Sequence, residues 1–336
     1  MALVQLHGAP LCGPAPGKGG AVRKIFRGSP GDGGHVTPSV LRVGADHKVS
    51  PAVGYGPKMT RVTIITGGAG GMGVATAKTI GREHPVVLCD IRADRLAAAA
   101  AALSAQGISA TAVHCDVTDR RAVDEMFETA AGLGTIAAVV HAAGVSPAMG
   151  DAEYVMRTNA IGTLNVNEAF YSGVGGGGAI VNVASMAAHI LPEELIPVAA
   201  FPLALSDEAA FLAATTAACD IAGEQQRSGI AYAISKNFVK WYSSAQAERF
   251  NGRGLRIVSV SPGSVDTEMG RLEEQGGAGA LVADAAVPRW GTAEEMADLF
   301  AFCVSDKAGY LTGTDILNDG GVVASIRERA RAAHSV

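Results

Sequence analysis

The chain has 336 residues, 48% of them hydrophobic and only 18% charged, with a formal net charge of −5. That length can bury one sizeable core, and a single α/β domain of ~250 residues would be ordinary. The mild acidity excludes a broad basic footprint for nucleic acid or an anionic membrane surface, so a small-molecule partner is expected.

Residues 1 to 58 hold half of the prolines and many glycines, have no apolar period, and carry more Lys and Arg than Asp and Glu. Such a segment cannot bury enough surface to offset its ordering entropy, so a disordered N-terminal extension is expected. Met59 stands immediately before the first strand and is a candidate working initiator, with the domain running 59 to 325 and a tail from 326 to 336. Cys12, Cys89, Cys115, Cys219 and Cys303 are scattered without a Cys-x-x-Cys pair, and the histidines lack His-Glu-x-x-His spacing. Neither a disulfide framework nor a metal site is indicated, and a reduced cytoplasmic setting is the default. No apolar run reaches the ~18 residues that a spanning helix needs.

Arg61 to Thr66 is a short β-branched run, followed by the glycine-rich stretch 66 to 73 and a helical pattern through Ile80. Strand, glycine turn and helix form the context of a dinucleotide fingerprint. Gly67 and Gly71 permit the tight turn and close backbone approach, and Gly73 lets the helix pack on the sheet. Met72 lies among the first-turn residues whose helix N-terminus faces the pyrophosphate. A second strand, Pro85 to Asp90, ends in an acid about 20 residues further on, the position that hydrogen-bonds the adenine ribose. A carboxylate there repels a 2′-phosphate, so Asp90 argues for NAD over NADP, with Arg92 nearby as the opposing feature.

A helix is expected from Arg92 to Ala105, a strand from Ala110 to Cys115, a helix from Arg120 to Leu133 and a strand from Ala137 to Ala142. This alternation implies a Rossmann-type, doubly wound parallel sheet. Asp116-Val117 and His141-Ala142-Ala143-Gly144 fall just after strand carboxyl ends, where ligands of such sheets sit. Asp116 reads equally as a turn or helix cap and as an adenine contact. Ala142, Ala143 and Gly144 are small enough for close cofactor approach.

Further along, Ser185 follows a strand from Ala179 to Val183, and Tyr232 and Lys236 stand four residues apart on one face of a helix from Ala231 to Phe250. A phenol with a pKa of about 10 must shift by roughly 3 units, or about 4 kcal/mol, to exchange protons near neutrality. A fixed ammonium one turn away favours the phenolate.

Taken in order, Thr-Gly-x-x-x-Gly-x-Gly at 66 to 73, Asp90, Asp116-Val117, Asn159 in Thr-Asn-Ala-Ile-Gly-Thr, Ser185, and Tyr232 with Lys236 resemble the short-chain dehydrogenase/reductase family. Pro262-Gly263 and Gly320-Gly321 add to the resemblance, which covers 60 to about 323. It implies that Tyr232 is the general acid/base, that Lys236 lowers its pKa and binds the nicotinamide ribose, and that Ser185 hydrogen-bonds the substrate oxygen. It also implies that Asn159 supports a water relay to Lys236. The Val265 backbone and the Thr267 hydroxyl, after Pro262 and Gly263, would close on the nicotinamide carboxamide. Residues 268 to 288, rich in Gly and Ala, read equally as a mobile lid over the substrate and as a disordered surface loop. His141-Ala142 departs from the family's usual pair of asparagines, which mostly support the sheet, so altered local hydrogen bonding is expected without loss of activity.

Ser185 and Tyr232 are separated by an insertion at about 187 to 229. Pro192, Pro197 and Pro202 break its first half, and Asp207 to Gln226 reads as an amphipathic helix capped by Ser206. It is similar to the insertion of bacterial 3-alpha-hydroxysteroid dehydrogenase/carbonyl reductase-like members, where it covers faces that other members use for assembly. A homodimer not built through the Tyr232 helix is therefore expected; an active-site wall is the other reading. The chain is expected to be an NAD-linked alcohol/ketone oxidoreductase acting on hydroxysteroid or aryl/cyclic carbonyl substrates. The alternatives are an NADPH-linked 3-oxoacyl-thioester reductase and a non-catalytic cofactor-binding regulator.

Overall fold

The computed structural model describes residues 60–274 and 279–334, so the expected 1 to 58 extension lies outside the described residues. Strands β1 (Arg61–Thr66), β2 (Val86–Asp90), β3 (Ala110–His114), β4 (Thr135–His141), β5 (Ala179–Val183), β6 (Arg256–Pro262) and β7 (Asp315–Asn318) form one parallel sheet in the order 3-2-1-4-5-6-7. β2 and β5 are buried along their whole lengths, as their Val- and Ile-rich sequences require of strands covered on both faces. The strand order reverses between β1 and β4, where Thr66 and His141 are register partners. Ligands of open parallel sheets bind at such a reversal.

Helices cover both faces. On one, α1 (Gly71–Ile80), α2 (Ala93–Ser104) and, late in the chain, the helix at Ala293–Val304 pack through Ile80, Leu96, Leu103 and Phe300. On the other lie α3 (Arg120–Leu133), α4 (Ala152–Met156) and α5 (Gly162–Gly173). Asp119 caps α3 by accepting from the amides of Arg121 and Ala122. One π-helical turn, Arg157–Ile161, joins α4 to α5 and contains Asn159.

The insertion differs from its expected form. Asp207, rather than Ser206, caps α6 (Glu208–Ala217), accepting from the Ala210 amide at 2.9 Å. The helix does not continue to Gln226: it ends at Ala217, a 3-10 turn follows at Ala218–Ala222, and Gly223 at φ +77° then redirects the chain, a conformation that glycine takes without steric cost. A new helix, α7 (Glu224–Ala245), therefore starts before Ala231 and carries Tyr232 and Lys236 well inside it; the short α8 (Ala247–Asn251) follows. Phe201 and Phe211 of the insertion close on α7 through Phe238, at ring-centroid distances of 5.4 and 5.0 Å. All three rings are fully buried, so the insertion is continuous with the core.

Residues 268 to 288 contain α9 (Glu268–Glu273) and α10 (Gly279–Ala283), with 275–278 outside the described residues. Thr292 caps α11 (Ala293–Val304), with Glu295 completing a reciprocal box. α12 (Val322–His334) runs across residue 325, and Val322, Val323 and Ile326 pack inward. Cys89, Cys115, Cys219 and Cys303 are buried free thiols. Among the described residues no helix is long and apolar enough to cross a membrane, and no His/Cys/Asp/Glu cluster could hold a metal ion.

Candidate active site

A cleft of about 170 Å³ opens at the strand-order reversal. Its floor is the glycine turn, with Gly67, Gly71, Met72 and Gly73, faced by Ala142 and Gly144 after β4. Gly67 has φ +65°, and a Cβ on it would lie 2.8 Å from the Ala142 carbonyl carbon and oxygen. A Cβ on Gly73 would collide with the Gly67 carbonyl. No side chain caps the N-terminus of α1 at Gly70, so its first-turn N–H groups face the cleft as an anion-binding site. An open cradle, uncapped amides and an acid at the end of β2 fit a nicotinamide dinucleotide.

Asp90 does not line the cleft itself. Its carboxylate sits just behind, accepting from the Ala69 amide at 3.2 Å and the Arg92 amide at 3.1 Å, with the Arg92 Nε at 3.8 Å. Asp116 takes the turn-cap role, accepting from the Thr118 amide and hydroxyl, both at 2.8 Å. Val117 packs against Gly162 and gives its carbonyl to Asn165. Ala143 donates its amide to Thr66 Oγ1 at 3.2 Å. Asp116, Val117 and Ala143 are not among the residues that line the cleft.

Ser185, Tyr232 and Lys236 share the opposite wall. Ser185 Oγ accepts from the Ala187 amide at 3.1 Å and caps a 3-10 turn. Lys236 Nζ lies 5.8 Å from the Tyr232 ring centroid and donates to the Val183 carbonyl at 2.9 Å. Burial lowers its pKa to about 8, opposed by Glu273. The phenol of Tyr232 departs from expectation. Burial first, and the charge of Glu273 second, push it above its ordinary value, while a hydrogen bond with Ser185 works the other way. Burial, not Lys236, therefore dominates the phenol in this structure.

Asn159 is fully buried, away from the cleft surface. Its side chain accepts from the Val145 amide at 2.8 Å and donates to the Val145 carbonyl at 3.0 Å and to Ser235 Oγ at 3.2 Å. It pins the post-β4 loop to α7. Pro262, Gly263, Val265 and Thr267 close the third side. Thr267 caps α9 through the Gly270 amide at 3.1 Å, and its methyl group lies where a Cβ on Gly71 would be, 2.7 Å away. A second cavity of about 250 Å³ lies behind the Pro262-Gly263 loop and contains none of Asn159, Ser185, Tyr232 and Lys236.

Sequence reasoning missed two features of this site. Glu273 of α9 lines the cleft with Tyr232, and burial raises its pKa; nothing in the spacing of the chain marks it. The second is a hydrogen-bond ladder through His141, which is 1% exposed. His141 Nδ1 contacts Thr66 Oγ1 at 2.8 Å and Nε2 contacts Thr163 Oγ1 at 3.0 Å. Thr163 spends its proton on the Asn159 carbonyl at 2.7 Å. Nε2 must then carry the imidazole proton, and Nδ1 accepts from Thr66. Burial, with Lys236 adding, lowers the His141 pKa to about 3.

The chain is similar in sequence and fold to known proteins. A model described as short chain dehydrogenase matches residues 61–199, and one described as Enoyl-(Acyl carrier protein) reductase matches 195–323. The short-chain dehydrogenase/reductase bsc3 of Alternaria brassicicola is 31% identical over 272 residues, covering 79% of this chain and 97% of that protein. D-threitol dehydrogenase of Mycolicibacterium smegmatis is 30% identical over 273 residues, covering 78% and 92%. A short chain dehydrogenase from Burkholderia cenocepacia, solved in complex with NADP, superposes with a TM-score of 0.60 at 25% identity, covering 77% and 96%.

Proposed function

The chain belongs to the short-chain dehydrogenase/reductase family, an oxidoreductase acting on CH–OH groups, and from that premise we propose that it interconverts a secondary alcohol and a ketone with NAD(H). One observation carries the reading: Ser185, Tyr232 and Lys236 stand on one wall of a cleft whose floor is the open glycine cradle. When bound, the nicotinamide supplies or accepts the hydride. Tyr232 holds the proton exchanged with the substrate oxygen, and Ser185 donates a hydrogen bond to that oxygen as charge develops there. Lys236 stabilises negative charge on the phenol and reaches the ribose. The uncapped amides of α1 hold the pyrophosphate, with Ala142, Gly144, Val265 and Thr267 around the nicotinamide. Asp90 supports NAD over NADP, with Asp116 and Val117 at the adenine; the Burkholderia relative, solved with NADP, makes a direct comparison of the two cofactors necessary.

Val145, Met149, Met269, Leu272 and Trp290 offer an apolar wall, which supports bulky cyclic or aromatic carbonyls of the hydroxysteroid type. A second reading, a polyhydroxylated substrate, is favoured by the Glu273 carboxylate in the same cleft and by the relative named for D-threitol. The insertion covers α7 through Phe201 and Phe211, which supports an assembly that does not pair through α7; we read that assembly as a homodimer and the setting as cytoplasmic. Cross-links between α7 helices of two subunits would refute that assembly.

The deciding experiment compares wild type with Tyr232→Phe, using NADH and NADPH against ketosteroids, aryl ketones, keto-sugars and acetoacetyl thioester. The variant should lose ~10²- to 10⁴-fold in turnover while cofactor fluorescence titrates unchanged. Equal turnover in both proteins would sink the mechanism, and NADPH-linked thioester reduction would replace the substrate reading.

A further inference from the structure

Beyond the glycine turn Arg92 and Glu268 line the cleft, and Asp90 and Arg95 stand behind them as their ion-pair partners. Asp90 at the end of β2 holds the Arg92 guanidinium at 3.8 Å. Arg95, one turn along α2, pairs instead with Glu268, the first residue of α9 on the opposite wall. The α9 segment is seated against the glycine turn, because Thr267, immediately before Glu268, abuts Gly71. Arg92 and Glu268 both line the cleft, Glu268 also feels the charge of Arg92, and Arg95 feels that of Asp90. Two guanidinium groups thus stand at the adenosine end, and each is answered by a carboxylate from a different element.

A ribose 2′-phosphate brings up to roughly two negative charges and is best received by an arginine whose fork is not engaged by a carboxylate. We propose that Glu268 is a cofactor-selectivity residue acting through Arg95: by pairing with that guanidinium it withholds it from a 2′-phosphate and reinforces the preference set by Asp90. The inference rests on the NAD(H) reading above. It places part of the cofactor choice on α9, which also lines the cleft through Met269, Leu272 and Glu273.

The test uses Glu268→Gln, Arg95→Gln and the double variant. Equilibrium dissociation constants for NADH and NADPH are measured by cofactor fluorescence, and kcat/KM with each cofactor on the same ketone. Arg95 and Glu268 are surface side chains, 36% and 62% exposed, so the fold should be unaffected, as circular dichroism would verify. Glu268→Gln should shift the NADPH-to-NADH preference about two- to fivefold toward NADPH, the scale of one exposed charge interaction. The double variant should lose that gain, and added salt should compress it. No shift in Glu268→Gln, or an equal shift in the double variant, overturns the role of Arg95 occupancy. A wild type that already prefers NADPH refutes the NAD(H) reading instead, while the Arg95 dependence of the Glu268→Gln shift still decides this inference.

Discussion

Replacing His141 by asparagine tests whether the buried imidazole is neutral and tied into the ladder from Thr66 to Asn159. In the folded chain burial holds its pKa at about 3, whereas an unfolded histidine titrates near about 6.5. Between those values the unfolded state binds the extra proton. Wild-type stability attributable to this group is therefore complete above about pH 6.5 and is lost as pH falls toward 3, at roughly 1.4 kcal/mol per pH unit. From pH 7.5 to 5 the loss is about 2 kcal/mol. Lys236, lowered from 10.5 to about 8, contributes its slope only above pH 8 and leaves this window clear. The asparagine variant starts lower, by about 1 to 3 kcal/mol for a hydroxyl left unpartnered, but lacks the acid slope. Urea midpoints at pH 7.5, 6 and 5, followed by fluorescence, should converge between the two proteins as pH falls. Parallel pH dependences would show that the imidazole is hydrated or protonated in the fold, and the tautomer assignment would fall with it.

Gly73→Ala, whose Cβ would collide with the Gly67 carbonyl, should weaken NADH binding at least about tenfold, equal to ~1.4 kcal/mol, in a fluorescence titration; unchanged affinity would contradict the cradle. Ser185→Ala should lower kcat about 10²- to 10³-fold and cost about 1 kcal/mol through the lost cap, so a stability loss without a kcat effect would make Ser185 structural only. Phe238→Ala removes the ring against which Phe201, Phe211, Trp241 and Tyr242 pack at centroid distances of 5.0 to 5.9 Å. It should cost ~3–5 kcal/mol, or about 6 to 20 °C in Tm, and a shift under about 2 °C would mean that the insertion is only loosely attached.

The sheet and the glycine turn were legible because they depend on local pattern: β-branched runs, glycines at fixed offsets, and a helix after each strand. The insertion was legible as an interruption but not in its internal form. The helix pattern from Asp207 to Gln226 continues across Gly223 in composition, but a 3-10 turn at Ala218–Ala222 and the Gly223 backbone at φ +77° separate α6 from α7. Asp207 outcompetes Ser206 as a cap because its carboxylate reaches the Ala210 amide. The site shows the same division. Gly67, Gly73, Ser185, Tyr232 and Lys236 line one cleft, the glycines and the Tyr–Lys pair through local spacing and Ser185 through the family resemblance, but the direction of the Tyr232 shift depends on burial and on Glu273, which spacing along the chain does not report. Arg95 and Glu268 lie 173 residues apart, and no periodicity joins them.

What fixes the distance between Ser185 and Tyr232 is tertiary, despite the long stretch of chain between them. Lys236 Nζ holds the Val183 carbonyl, two residues before Ser185, and Asn237 Nδ2 holds the Ala188 carbonyl at 2.9 Å, three residues after it. The serine is thus tied on both sides to the turn of α7 that follows Tyr232. The other side of α7 is packed by Phe201 and Phe211 on Phe238. An insertion placed between two residues of one cleft would ordinarily loosen their register, since loop closure becomes costlier with length. Here its aromatic side chains pack on α7, the same helix that holds the chain on both sides of Ser185. The length of the insertion is therefore compatible with a fixed spacing between Ser185 and Tyr232.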